Sequence, residues 1–396
     1  MKKSTQVLAA FLTIIMLLCC GTYATEKTSF DSEPLCHMTY HDVCRAIQTE
    51  EFDAVMRSYL SDLNEEGFDI RDISLGTPYN YLVANNSKIV AEDTVWYYPI
   101  YYKNNEIIGI LAYGKHENEN LFSVGKAYAE YLNTLMSETE DSIQMLFYKD
   151  CLYALTLEEC YDLMGEAKRD FTVLDGINRN ELVKYRDSTS QVYSIGQNRS
   201  KLITELDVYL ANSSELLMNG VRTVYNYELI GFPIIYQGSS PSCWAGASAA
   251  IINYEMGTSY TYSYIVSYAA SNGWPAGYTS TIVNVLSNLL SSSFSPASYN
   301  YAITLSTLQS KILQDHPVIL GLWEWDDTTS QYVYNAAAHV VTAIGYNTIT
   351  NSNITAIKVM DTATGSTGWT SYTNTCLSVY YYNPTSYKWH DTIVIK

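Results

Sequence analysis

The chain has 396 residues, about two and a half times the usual length of a single domain, so two domains are expected. Its 23 Lys and Arg against 41 Asp and Glu give a formal charge of −18, which repels a phosphate backbone and argues against nucleic acid as a partner. At 47% hydrophobic and 16% charged, with 37 Tyr, it has the composition of a folding chain and excludes a disordered one.

The first residues read as an export signal. Lys2 and Lys3 precede the apolar run 7–20, and Thr22-Tyr23-Ala24 supplies small residues for cleavage, giving a signal peptide over 1–24. No later run reaches the roughly twenty apolar residues of a membrane span, so a secreted or cell-surface protein without membrane attachment after signal removal is expected. Cys36 with Cys44, and Cys151 with Cys160, then read as two short-range disulfides. On one helix Cys151 and Cys160 would lie about 13 Å apart, too far to bridge. Thr156-Leu157-Glu158-Glu159 resembles a capping box that starts a new helix between them and allows the turn. Cys36, His37, His41 and Cys44 could instead hold zinc, but their spacing matches no familiar finger, and no metal or cofactor is expected.

Phe52, Val55, Met56, Tyr59, Leu60 and Leu63 recur at helical spacing before Gly67. The runs 95–102 and 107–113 flank Lys103-Asn104-Asn105-Glu106 as a β-hairpin, and Ala127, Tyr128, Tyr131, Leu132 and Leu135 form a second helical stripe. Charge then marks a boundary near residue 220. The first 220 residues carry 18 basic and 33 acidic side chains; the rest carry five and eight. The N-terminal part, residues 25–220, is read as an α+β pro- or accessory domain without a nucleophile and base in partnership; His116 in it reads as a solvated turn residue.

In the C-terminal part, residues 230–236 read as a short strand, Gly238 to Ser242 as a turn, and Cys243 to Met256 as a helix buried all round and ended by Gly257. Leu305, Leu308, Ile312 and Leu313 mark a helix stopped by Pro317. Strands are expected over 318–325, 338–346, 355–361, 377–382 and 392–395. Helices followed by strands describe a two-lobed α+β module over 221–396.

Cys243, at the first turn of its helix, sits where free N–H groups and the helix dipole stabilise a thiolate. His339 and Asp361 lie eleven residues either side of position 350, so a symmetric hairpin would set them opposite each other, about 5 Å apart. The carboxylate would orient the imidazole and stabilise its cation beside the thiolate. Gln237, with the N–H of Cys243, would hold the charge of a tetrahedral intermediate. His316, His390 and Cys376 read as packing or surface residues, and residues 273–278 as a cleft wall or an ordinary turn.

Gln237-Gly238-Ser239-Ser240-Pro241-Ser242-Cys243-Trp244-Ala245 resembles the active-site segment of papain-like cysteine peptidases, with Gln six residues ahead of a Cys-Trp pair. The segment from Ala338 through Tyr346 is similar to their histidine strand and Val359-Met360-Asp361 to the segment holding the third residue. Asp361, where papain has Asn, is closer to the bacterial branch of bacteriocin-leader peptidases and staphopain-like secreted enzymes. The resemblance spans residues 225 to 396. It implies a two-lobed fold, hydrolysis of polypeptides without a cofactor, synthesis as a precursor and a monomer. It also suggests that Trp369 shields the His339 and Asp361 pair from water, with core packing as the other reading. Two rivals remain at this stage: a transglutaminase-like acyl transferase using the same thioester chemistry, and a non-enzymatic extracellular binding module with a Tyr-rich surface.

Overall fold

The computed structural model describes residues 49–169 and 224–396, less 77, 86–87, 92–94, 104–105, 117–118, 140–142, 150, 157, 165–166, 239, 327–330, 333–338, 350–354, 374–375 and 378–386, together with Leu174, Ile177 and Leu182. The expected signal peptide, the Cys36 to Cys44 pair and the boundary near 220 lie outside the described residues.

Helix α1 (Glu50–Glu65) forms where the apolar spacing places it. Thr49 caps it by accepting the Phe52 N–H, Glu50, Glu51 and Asp53 complement its positive end, and Phe52, Val55, Met56, Tyr59, Leu60 and Leu63 are buried. The strands β1 (Ile73–Leu75), β2 (Leu82–Asn85) and β3 (Lys88–Ala91) follow. The expected hairpin is β4 (Val95–Tyr102) and β5 (Glu106–His116), extended by β6 (Glu119–Gly125). Helix α2 (Ala129–Glu138) starts later than its apolar stripe suggests. Ala127 and Tyr128 precede it, and Tyr128, at the N-cap, takes the left-handed conformation with φ 60°.

The strands β7 (Gln144–Tyr148), β8 (Cys151–Leu155), β9 (Cys160–Asp162) and β10 (Ala167–Arg169) overturn the disulfide expected between Cys151 and Cys160. No disulfide joins them. The Thr156 hydroxyl does accept the Glu158 and Glu159 N–H groups, as a cap would, but it closes a hairpin turn rather than opening a helix. Cys160 therefore pairs with Leu155, four residues and about 13 Å along the strand from Cys151. The local hydrogen bonds were legible and their context was not.

In the C-terminal part β11 (Val224–Glu228) replaces the strand expected over residues 230–236. That stretch joins no sheet: Gly231 turns the chain at φ 73° and Pro233 has no N–H to give a ladder. Helix α3 (Cys243–Met256) has the expected bounds, with Gly257 as its left-handed cap and every residue from Trp244 to Asn253 buried. Two short Ser- and Thr-rich helices that the sequence did not disclose, α4 (Tyr262–Ser271) and α5 (Thr279–Leu289), pack against it. Residues 273–278 form the turn between them. Then come β12 (Ala297–Tyr299), α6 (Leu305–Leu313), β13 (Val318–Asp326), β14 (Gln331–Tyr332), β15 (His339–Ile349), β16 (Thr355–Asp361), β17 (Ser366–Thr373), β18 (Cys376–Leu377) and β19 (Tyr387–Val394).

The architecture is α+β. One sheet runs β1-β4-β5-β6-β17-β16-β15-β13-β19-β12, with β11, β14 and β18 attached at its side, and its pairings are all antiparallel. A smaller sheet runs β10-β9-β8-β7-β2-β3. Strands from both sides of residue 220 thus belong to one sheet, joined where β6 meets β17. Glycine makes the seam possible: a Cβ on Gly368 would stand 2.7 Å from the Val124 carbonyl oxygen.

Strand β16 divides two interiors. On one side α1 covers Ala356 and Trp369 together with β4, β5 and β6 residues. There the buried Lys358 ammonium bonds Asp62 of α1 at 2.8 Å and Glu228 of β11 at 2.6 Å, and Asp62 also accepts the Trp369 indole N–H at 2.7 Å. The Asn347 amide donates to the Ser58 hydroxyl on the same side. On the other side lie Ile357 and Val359 with Val341, Ala343, Leu320 and Leu322. Trp369 consequently does not shield His339; it packs under α1.

Candidate active site

The central geometry rests on β15 and β16. Their ladder pairs Thr348 with Thr355 through Gly345 with Lys358, then shifts, so that Ala343 faces Val359 and Thr342 faces Met360. Ile344 is the extra residue, a β-bulge beside Gly345. A Cβ on Gly345 would lie 2.9 Å from the Tyr227 carbonyl oxygen, so only glycine permits this squeeze between β11 and β16. The bulge decides which side chains meet. Continued unshifted, the ladder would set Asp361 across from Thr342, on the face opposite His339. Shifted by one, it brings Asp361 across from Val341, on the same face as His339 and two residues along. The pair expected to be directly opposite is therefore diagonal, and side-chain length closes the gap: His339 Nε2 lies 3.0 Å from Asp361 Oδ1.

His339 is 6% exposed and Asp361 is fully buried. Asp361 Oδ1 also accepts the Ala363 N–H at 2.9 Å, which fixes the carboxylate. The Cys243 sulfur also acts on the imidazole electrostatically. Burial pushes the imidazole pKa down, but the Asp361 charge and hydrogen bond, and then the Cys243 sulfur, outweigh it and hold the pKa at about 10. The Tyr387 ring stands 6.5 Å from the imidazole on its β19 side.

Cys243 is half-buried and opens α3. The N-cap residue Ser242 gives that helix no side-chain cap, its hydroxyl pairing instead with that of Ser240 at 2.8 Å. The N–H groups of Ala245 and Gly246 bond the Ser242 carbonyl at 2.9 and 3.0 Å, so those of Cys243 and Trp244 are the ones that face an anion arriving at the sulfur. Gln237, also buried, is clamped from both ends: its Oε1 accepts the Thr362 hydroxyl at 2.6 Å, and its Nε2 donates to the Ser240 carbonyl at 2.6 Å. Its backbone N–H bonds the Thr362 carbonyl at 2.9 Å. Thr362 directly follows Asp361, so one two-residue segment fixes both the carboxylate behind the imidazole and the amide ahead of the helix.

The structure thus joins His339 to Asp361, sets Cys243 where its sulfur acts on the imidazole, and ties Gln237 to the same segment through Thr362. Thr362 escaped the sequence reading; its signal was adjacency to Asp361. His316 and His390 stand elsewhere. His316 pairs with Glu255 at 3.2 Å beside Phe294, and His390 bonds Asp391 at 2.9 Å and stacks on Trp323 at 4.0 Å. Among the described residues no group of three or more His, Cys, Asp or Glu is arranged to hold a metal ion, and no helix is long and apolar enough to cross a membrane. No family model matches the chain, and no curated protein matches it.

Proposed function

We propose that the protein is an exported cysteine peptidase of papain-like, two-lobed design, acting on polypeptides as a monomer and made as a precursor with a signal peptide. The single observation that carries this reading is the relay Cys243, His339, Asp361, in which a partly accessible sulfur meets an imidazole held cationic by a buried carboxylate.

In the reaction the Cys243 thiolate attacks the scissile carbonyl carbon, forming a C–S bond and moving the carbonyl π electrons onto oxygen. The Cys243 N–H and the Gln237 Nε2–H that is not committed to Ser240 receive that charge. As the C–N bond breaks, the His339 imidazolium gives its proton to the leaving amine. Water then attacks the thioester with neutral His339 as base, the C–S bond breaks, and the acid product leaves a thiolate facing an imidazolium. No step needs a metal or organic cofactor.

The test is peptide hydrolysis by the full chain with Cys243→Ala and His339→Ala. Both substitutions should reduce turnover to background, with far-ultraviolet circular dichroism unchanged, and iodoacetamide should label Cys243 in the unsubstituted protein. Undiminished hydrolysis by Cys243→Ala would discard the mechanism. Accumulation of an amide product when a primary amine is added would reassign the same thioester chemistry to acyl transfer.

A further inference from the structure

The smaller sheet, built wholly from the N-terminal region, reaches the turn that carries Gln237. Its β9 to β10 hairpin turns at Leu163 and Met164, and both residues are tied down. The Leu163 N–H bonds the Leu152 carbonyl at 2.9 Å, and the Met164 N–H bonds Asp162 Oδ1 at 3.1 Å. The carbonyl of Met164, a residue 6% exposed, then accepts the Tyr236 hydroxyl from the C-terminal part. Tyr236 directly precedes Gln237. The same carbonyl lies against Gly238, which directly follows it: a Cβ there would stand 3.3 Å from the Met164 oxygen. One carbonyl of the N-terminal region thus touches the residues on both sides of Gln237. The Tyr236 ring in turn lies on the turn between β16 and β17, where a Cβ on Gly365 would come within 2.9 Å of it. That turn begins with Thr362, the residue that clamps the Gln237 amide.

We propose that Tyr236, anchored on the Met164 carbonyl, is a positioning residue for the oxyanion donor Gln237, and that the N-terminal region is therefore a working part of the catalytic unit rather than a segment whose release switches it on. This rests on the peptidase reading for its catalytic meaning, but not for its geometry. An oxyanion donor serves the reaction only where it already stands at the place the charge will develop, and a displacement of about 1 Å costs much of its effect. Thr362 and Ser240 hold the two ends of the Gln237 amide, but both lie in turns themselves. The Tyr236 ring and hydroxyl join those turns to a strand pair outside them, whose own position is set by the ladders of the smaller sheet.

The experiment breaks the bond and leaves the ring. Tyr236→Phe, made in the full chain, keeps the packing on Gly365 and removes the hydroxyl that reaches Met164. In peptide hydrolysis its kcat should fall about tenfold with KM unchanged. The loss should vanish in a Gln237→Ala background, because a residue that acts only through Gln237 then has nothing left to place. A merely structural role would cost the same in both backgrounds. A second readout needs no activity. The Gln237 side-chain amide protons, identified in nuclear magnetic resonance by their loss in Gln237→Ala, should exchange with water about tenfold faster in Tyr236→Phe. Should Tyr236→Phe fail to fold, Asp162→Ala, which releases the Met164 N–H, is read in the same way. An undiminished or raised kcat in a chain that hydrolyses peptides, or an equal loss in both backgrounds, would overturn the proposal. Unchanged amide exchange would overturn it whether or not peptides are cleaved. A chain inert towards peptides in which Tyr236→Phe still speeds exchange would overturn the peptidase reading and leave the brace on Gln237 standing.

Discussion

Lys358 and Asp361 stand three residues apart on β16, and their side chains leave the strand on opposite faces. Both belong to buried charge clusters, yet the clusters are built differently. Around Lys358 one cation meets two carboxylates on other elements, Asp62 of α1 and Glu228 of β11. Burial raises the Glu228 pKa, and Lys358 only partly offsets it, while the two carboxylates hold the Lys358 pKa up against its own burial. Around Asp361 one carboxylate meets one imidazole on whose other side a sulfur acts, and the Ala363 N–H bonds the same carboxylate oxygen as the imidazole. The first arrangement fixes how segments distant in sequence meet. The second leaves a proton free to move.

If that contrast is sound, damage on the Asp361 face should cost rate and spare stability, with the reverse on the Lys358 face. The largest change in rate short of losing the nucleophile or base is expected from Gln237→Ala, which removes a donor to the developing oxyanion. Its kcat should fall about 10²- to 10³-fold, roughly 3 kcal/mol in the barrier, with a denaturation midpoint close to that of the unsubstituted chain. A drop below tenfold would place the oxyanion elsewhere.

Next in size, Lys358→Met leaves two carboxylates facing each other under α1. The expected loss is about 3 kcal/mol in urea denaturation, at the lower end for a broken buried pair because a third of the Glu228 side chain remains in water. Turnover per folded molecule should be unchanged. Equal losses of rate and stability would show that the two faces are not independent.

The remaining test is of pH dependence. The folded protein holds the His339 pKa above its ordinary value, so the stability this gives is fully present below about pH 6.5 and is lost as pH rises through about 10. Urea midpoints should therefore decline between neutrality and pH 10, and the alkaline limb of kcat/KM should fall near 10. In Asp361→Asn that limb should move down by about one unit or more. An unmoved limb would assign it to a group other than His339.

The candidate site was legible in the sequence because its determinants are local. Residues 237–243 share one turn and helix start, and the strands bearing His339 and Asp361 are neighbours in the chain. Even so, counting residues about position 350 gave the wrong register, since a bulge follows from how Gly345 fits between β11 and β16. Lys358 lies in the strand expected over 355–361, but its partners come from residues 62 and 228. The seam between β6 and β17 joins positions some 240 residues apart and has no signature in either strand. For Trp369 the sequence offered the residue without saying which face it would occupy.

The seam has a further consequence for how such a chain could be processed. Separating the two regions would strip a neighbour from β17, bare its N–H and C=O groups along one edge, and leave Trp369 and the Lys358 ammonium without the helix that covers them. A single cut between β10 and β11 would therefore yield two fragments that remain clasped and migrate together until denatured. Scission and dissociation are distinct events in this architecture, and the second carries the greater energetic demand.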